Sequence, residues 1–200
     1  MAEVRILIEG YAKEVDGVEY ACSSVTLVRA GQSNILVDTG SNRELLLEAL
    51  RKEGLRPSDI GIVVLTHTHL DHCMLVGIFE NAVILDGDSV YSFDGKISGH
   101  EGKVPGTDME IVPTPGHDQF HCAVFVDTKE YGKVVVAADV FWWPEGASQS
   151  TDEASVLSLE DPYVKDPNAL HASRKTILDS ADYIVPGHGK PFVFNRDTIA

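Results

Sequence analysis

The stretch Ile62-Val63-Val64-Leu65-Thr66-His67-Thr68-His69-Leu70-Asp71-His72 decides the fold. Its first four residues are apolar and mostly β-branched, the composition of a buried strand. The strand runs into three imidazoles and a carboxylate within six consecutive positions. In extended backbone alternate side chains point the same way, so His67 and His69 can converge on one point. Met74, Leu75, Ile78 and Phe79 then begin a helix-like apolar spacing. The turn between lets Asp71 and His72 face a second point beside the first. Imidazole nitrogen and carboxylate oxygen are ligands for a borderline metal such as zinc.

The same grammar recurs elsewhere in the chain: an apolar strand, then a turn carrying a metal-type ligand. Met109-Glu110-Ile111-Val112 leads into Pro113-Thr114-Pro115-Gly116-His117. Lys133-Val134-Val135-Val136-Ala137 delivers Asp139, and Tyr183-Ile184-Val185 delivers Pro186-Gly187-His188-Gly189. Ligands at strand ends gather at one edge of a sheet, where a rigid scaffold holds them. Seven candidates (His67, His69, Asp71, His72, His117, Asp139 and His188) exceed what one four-coordinate zinc takes and suit two metals sharing a carboxylate.

Upstream, Val4–Ile8, Val25–Val28 and Asn34–Val37 read as strands, the last two joined by a turn at Gly31-Gln32-Ser33. Asp38-Thr39-Gly40 closes the third. Asp38 reads equally as a turn residue or as a carboxylate steadying the metal-binding loop. A helix through Leu50-Arg51 is expected to begin at a Ser41 or Asn42 cap and to bury Leu45, Leu46, Ala49 and Leu50. Ala123–Val126 should pair with the strand before Asp139. Residues 141–165 read as an acidic, partly helical excursion, and Leu170–Leu178 as a helix. Pro191–Phe194 suits an edge strand.

The 200 residues suffice for one sizeable domain, taken here as 1–200. A net charge of -15 repels polyanions at long range, and no Lys/Arg-rich stripe offsets it. No apolar run is long enough to span a bilayer, and the first eleven residues do not resemble a secretory leader. Cys22, Cys73 and Cys122 are odd in number and lack metal-type spacing, which fits a reduced, cytoplasmic setting.

His67-Thr68-His69-Leu70-Asp71-His72, Thr114-Pro115-Gly116-His117, Asp139 and Pro186-Gly187-His188-Gly189 together resemble the metallo-β-lactamase superfamily, in the family's order. The match begins at Val37-Asp38-Thr39-Gly40 and covers nearly the whole chain. The resemblance implies a four-layer αββα sandwich, two mixed β-sheets face to face with helices on the outer faces. It implies two zinc ions per chain, with iron or manganese also accepted by these donors. His67, His69 and His117 would hold the first metal, Asp71, His72 and His188 the second, and Asp139 would bridge them. Asp38 would support the loop from behind. Redox relatives carry Glu at the position of His69, so His there favours a zinc hydrolase. With twelve residues after His188, the appended glutathione-binding domain of some relatives is not expected. Gly77-Ile78-Phe79, Ala138-Asp139-Val140-Phe141 and Pro191-Phe192 resemble a short, single-domain branch.

The implied reaction is hydrolysis by hydroxide generated between the metals, oriented by Asp71 as the catalytic residue. A small ester, thioester, lactone or amide ranks first as substrate, and a phosphodiester or RNA second. A homodimer is compatible with the sequence, and no membrane partner is expected. Phe141-Trp142-Trp143 reads equally as packing under the loop or as an aromatic wall of the cleft. His121 is expected at the pocket edge or in a structural role, and Lys190 at the cleft rim. Cys73 is expected as a small buried hydrophobe, and the acidic run Asp152–Asp166 as solvated loop.

Overall fold

The structure is a computed structural model that describes residues 1–194. Two sheets face each other. The first has seven strands, β1 (Glu3–Ile8), β4 (Val25–Ala30), β5 (Ser33–Val37), β6 (Ile62–Val64), β7 (Val83–Leu85), β8 (Ser89–Tyr91) and β9 (Ile97–Gly99), in that spatial order. Its central pairs β5–β6 and β6–β7 are parallel and the rest antiparallel. The second runs β10 (Glu110–Pro113), β11 (Cys122–Asp127), β12 (Lys133–Trp142), β13 (Tyr183–His188) and β14 (Phe192–Val193), with only β12–β13 parallel.

Strand periodicity builds the layers. In β5, Ile35 and Val37 enter the core between the sheets, while Leu36 faces the opposite way. Val64 and Val63 divide likewise, as do Val134/Val136 and Val135/Ala137. Because both faces of the central strands are covered, these strands read as continuous apolar runs. Helix α1 (Arg43–Lys52) covers the first sheet with Leu46 and Leu50. On the second sheet, α3 (Glu153–Leu157) supplies Val156, and α4 (Pro167–Leu178) supplies Leu170, Ile177 and Leu178. The αββα sandwich expected from the sequence is therefore present.

Some local expectations change. Asn42 caps α1 by accepting from Leu45 N at 3.2 Å, but Leu45 itself is 46% exposed, because the stripe is too narrow to bury adjacent positions. The helix after the histidines is α2 (Leu70–Cys73), one turn only, followed by a 3-10 turn over Val76–Ile78. Leu75 and Phe79 are buried there and Met74 is exposed. A hairpin of β2 (Tyr11–Val15) and β3 (Val18–Cys22) was not expected from the sequence. No described helix is long and apolar enough to cross a membrane.

Candidate metal centre

The four ligand-bearing segments bring their side chains together in one place. Parallel pairing of Val37 with Val64 sets Asp38 beside Thr66. Asp38 accepts from Thr66 N and Thr66 Oγ1, both at 2.8 Å, and lies 2.8 Å from His72 Nδ1. The carbonyl of His72 accepts from Thr39 N, Gly40 N and Thr39 Oγ1. Asp38 thus fixes both ends of the histidine loop, and the loop is pinned back onto Thr39-Gly40. Asp38 has φ 58, the left-handed region that a short polar side chain tolerates.

Asp139 sits inside β12 rather than at its end. The register with β13 shifts on both sides of Ala138, whose φ is 44. This irregularity turns Asp139 toward the histidines. Gly187 makes the approach feasible, since any Cβ there would collide with Asp139 Oδ1.

The donor atoms form two clusters around this carboxylate. In the first, His69 Nδ1 lies 3.0 Å from His67 Nε2 and 3.1 Å from His117 Nε2. Asp139 Oδ2 is 3.3 Å from His117 Nε2 and 3.8 Å from His67 Nε2. In the second, His188 Nε2 is 3.1 Å from Asp71 Oδ2, and His72 Nε2 is 3.8 Å from the same oxygen. Asp139 Oδ1 is 3.2 Å from His72 Nε2 and 3.7 Å from His188 Nε2. Ligands on a tetrahedral zinc sit about 3.3 Å from one another.

The chemistry of these contacts fits a metal pair. Three imidazole nitrogens converge in the first cluster, yet each ring has too few protons for all to be mutual hydrogen bonds. His72 Nε2 and Asp139 Oδ1 are buried and close, but neither makes a hydrogen bond of sound geometry among the described residues. Buried polar atoms left this way call for a ligand. Burial, with the neighbouring imidazoles, holds His67 well below its ordinary pKa. Burial likewise lowers His69. Both are therefore neutral near pH 7, the form that coordinates. Burial alone would raise Asp139, but His72, His188 and His67 outweigh it and keep the carboxyl well below the usual range.

The far nitrogens of two rings are held by carboxylates. His72 Nδ1 meets Asp38, and His117 Nδ1 meets Asp161 Oδ2 at 2.8 Å. Such partners fix ring orientation and raise ligand basicity. Asp161 corrects the expectation of a solvated acidic run. It is buried, and it also accepts from Tyr163 N and, at 3.4 Å, from Trp142 Nε1.

Other expectations divide. Phe141 and Trp143 are buried in the core beneath α3 and α4, though Trp143 also borders two cavities that contain none of the seven proposed ligands. Trp142, between them on the strand, is half-buried and packs edge-on to His188. Lys190 is exposed and tied to Gln149 through its backbone; it borders a cavity that contains none of the seven proposed ligands. Arg174 is buried and donates to the carbonyls of Val140, Leu157 and Leu159. Cys73 is only half-buried, its thiol directed at Thr68 O. His121 is buried under the first cluster, 2.9 Å from Thr114 Oγ1, and burial pushes it down to about 3.

Comparison with known proteins agrees with this geometry. A sequence profile described as the metallo-beta-lactamase superfamily matches residues 23–87. The metallo-beta-lactamase domain-containing protein 1 of Xenopus laevis is 37% identical over 199 residues, covering 94% of this chain and 80% of that protein. The chain belongs to the metallo-beta-lactamase superfamily. The short branch expected from Gly77, Ala138 and Pro191 is the one this relative represents. Among solved structures of the superfamily fold, a probable metal-dependent hydrolase from Staphylococcus aureus superposes with a TM-score of 0.70 at 15% identity, covering 98% of this chain and 93% of that one. AidC, a dizinc quorum-quenching lactonase, superposes with a TM-score of 0.62 at 18% identity, covering 86% and 73%. The chain is a superfamily hydrolase with a His/Asp cluster suited to divalent metal.

Proposed function

We propose that this hydrolase binds two zinc ions and cleaves a small ester, thioester, lactone or amide, acting as one domain over residues 1–200. The observation that carries the reading is the division of Asp139, with Oδ2 turned to the His67/His69/His117 cluster and Oδ1 to the Asp71/His72/His188 cluster. The described name of AidC, a dizinc lactonase, supports the same assignment. Bound zinc supplies Lewis acidity and brings the pKa of water toward neutrality.

The chain's own groups do the rest. Of the two proposed carboxylate ligands, the Asp71 side chain is 23% exposed and that of Asp139 only 6%. Asp71 is therefore the carboxylate that meets entering water, orients it and takes up its proton. Asp38 and Asp161 hold His72 and His117 so that the donors need no rearrangement during turnover. The net charge of -15 works against a polyanionic substrate. Three unpaired cysteines suit a reducing, cytoplasmic compartment.

The test is a parallel assay of full-chain, metal-analysed protein on model esters, thioesters, lactones and RNA at one salt concentration. Turnover of a carbonyl substrate that is lost in Asp139→Ala supports the reading. RNA cleavage lost in that variant, with every carbonyl substrate untouched, would put a phosphodiesterase in its place.

A further inference from the structure

A cavity of about 420 Å³ opens directly beside the first cluster. Its inner end is formed by His67, Thr68 and His121, so it shares a wall with the proposed metal site. Its sides are Tyr91, Pro113, Pro115 and Phe120. Phe120 is 73% exposed at the mouth, a large apolar surface with nothing packed over it. Two larger cavities nearby, one at Lys13 and Lys190 and one beneath Trp142, contain none of the proposed ligands.

The charged groups in this cavity have one sign. Asp86, Asp88 and Asp118 line it, and among the described residues no lysine or arginine does. Asp86 is fixed by Asp88 N, Ser89 N and the Tyr91 hydroxyl, and Asp118 by Phe120 N. Asp86 and Asp118 are therefore held in place rather than free to swing clear.

His121 adds a polar group at the inner end. Its Nε2 is buried without a partner among the described residues. The Thr114 hydroxyl has His121 Nδ1 as its partner at 2.9 Å. If Nδ1 donated, the hydroxyl proton would be buried without an acceptor. The satisfied arrangement has Thr114 donating to Nδ1, which leaves the proton on Nε2. An unpaired N–H is thus buried beside His67, behind the inner end of the cavity.

We propose that this cavity receives the apolar arm of the substrate and selects an arm whose far end is neutral or cationic over one that ends in a carboxylate or phosphate. Apolar walls take the chain, and the three carboxylates, away from the metal-binding end, repel an anionic far end, with no lysine or arginine among the described lining residues to offset them. This deepens the hydrolase reading and rests on it for turnover, though not for binding.

Two ester sets test it with zinc-loaded protein. One carries hexanoyl, aminohexanoyl or adipoyl on the acyl side of a common alcohol, and the other carries the same three ends on the alcohol side. In the set whose arm enters the cavity, kcat/KM for the anionic end should be lower than for the other two by about tenfold. The double variant Asp88→Asn/Asp118→Asn should shrink that ratio. Amide NMR titration with hexylammonium and hexyl sulfate provides a readout independent of catalysis. The ammonium should shift Gly87 and Phe120 at about tenfold lower concentration. If no ester is turned over but hexylammonium still binds there preferentially, the hydrolase reading fails and the cavity assignment stands. Equal kcat/KM for all three ends in both sets, or equal binding of the two ions, would overturn the cavity assignment.

Discussion

Asp161 Oδ2 stands 2.8 Å from His117 Nδ1, with both side chains about 1% exposed. This pair ties the excursion after β12 to the first metal cluster, because Asp161 also holds Tyr163 N and the Trp142 indole. Asp161→Asn keeps the shape and removes the charge. Its affinity for the first metal should fall roughly ten- to a hundredfold, the usual cost of losing such a partner. Competition with a chromophoric chelator measures this, and Asp161→Glu should recover part of it. Unchanged affinity in Asp161→Asn would show that the contact does not orient His117.

Asp38 should matter for both stability and metal. Asp38→Ala leaves Thr66 N, Thr66 Oγ1 and His72 Nδ1 without their acceptor in a buried site. At about 1–3 kcal/mol for each unsatisfied group, the metal-free protein should lose at least about 3 kcal/mol. Urea denaturation in chelator reads the loss, and zinc titration should show the second site weakened. Asp38→Asn, which tolerates the positive φ, should be milder. A wild-type urea midpoint in Asp38→Ala would contradict the role given to this carboxylate.

The ligand variants should differ in kind. Among the described residues Asp139 is the only carboxylate that faces both clusters, so in Asp139→Ala both metals should be lost or weakened together. His117→Ala should weaken mainly the first site, and His188→Ala mainly the second. Stoichiometry and stepwise zinc affinity distinguish the three. Full metal content and activity in Asp139→Ala would remove the bridge from the account.

Thiol chemistry reports on the packing. Cys22 and Cys122 are buried, and burial raises Cys122 far above the ordinary thiol pKa. Cys73 is half-buried and raised more modestly, again chiefly by burial. A thiol reagent at pH 8 should therefore label Cys73 slowly in the native protein and spare the other two, because both are buried and the raised pKa of Cys122 also keeps it protonated. In denaturant all three should react. Rapid native labelling of Cys122, read by mass spectrometry, would contradict the packing between the sheets.

Much of this was legible in the chain. Apolar runs followed by His or Asp at a turn located the cluster-forming strands, because a strand covered on both faces is apolar throughout. The hairpin Tyr11–Cys22 escaped because most of its residues are half or fully exposed, so no alternation marks it. Its turn, Asp16-Gly17, did carry the signal, with both residues at positive φ. Asp161 was hidden in an acidic run, where nothing local separates a buried carboxylate from a solvated one. Its partner His117 is 44 residues away in sequence. Phe141, Trp142 and Trp143 could not be divided in advance, because that required knowing that β12 continues past Asp139 to pair Trp142 with His188. The Cys73 environment depends on how short α2 is, and one-turn helices leave little periodicity to read.

If Asp139 joins two metal sites, metal content shows it. Full-chain protein purified without chelators should hold about two metal ions per chain, chiefly zinc, by elemental analysis. After chelation it should take up about two equivalents again. A protein that carries no metal and takes up none, or that saturates at a single ion, would contradict the dinuclear account.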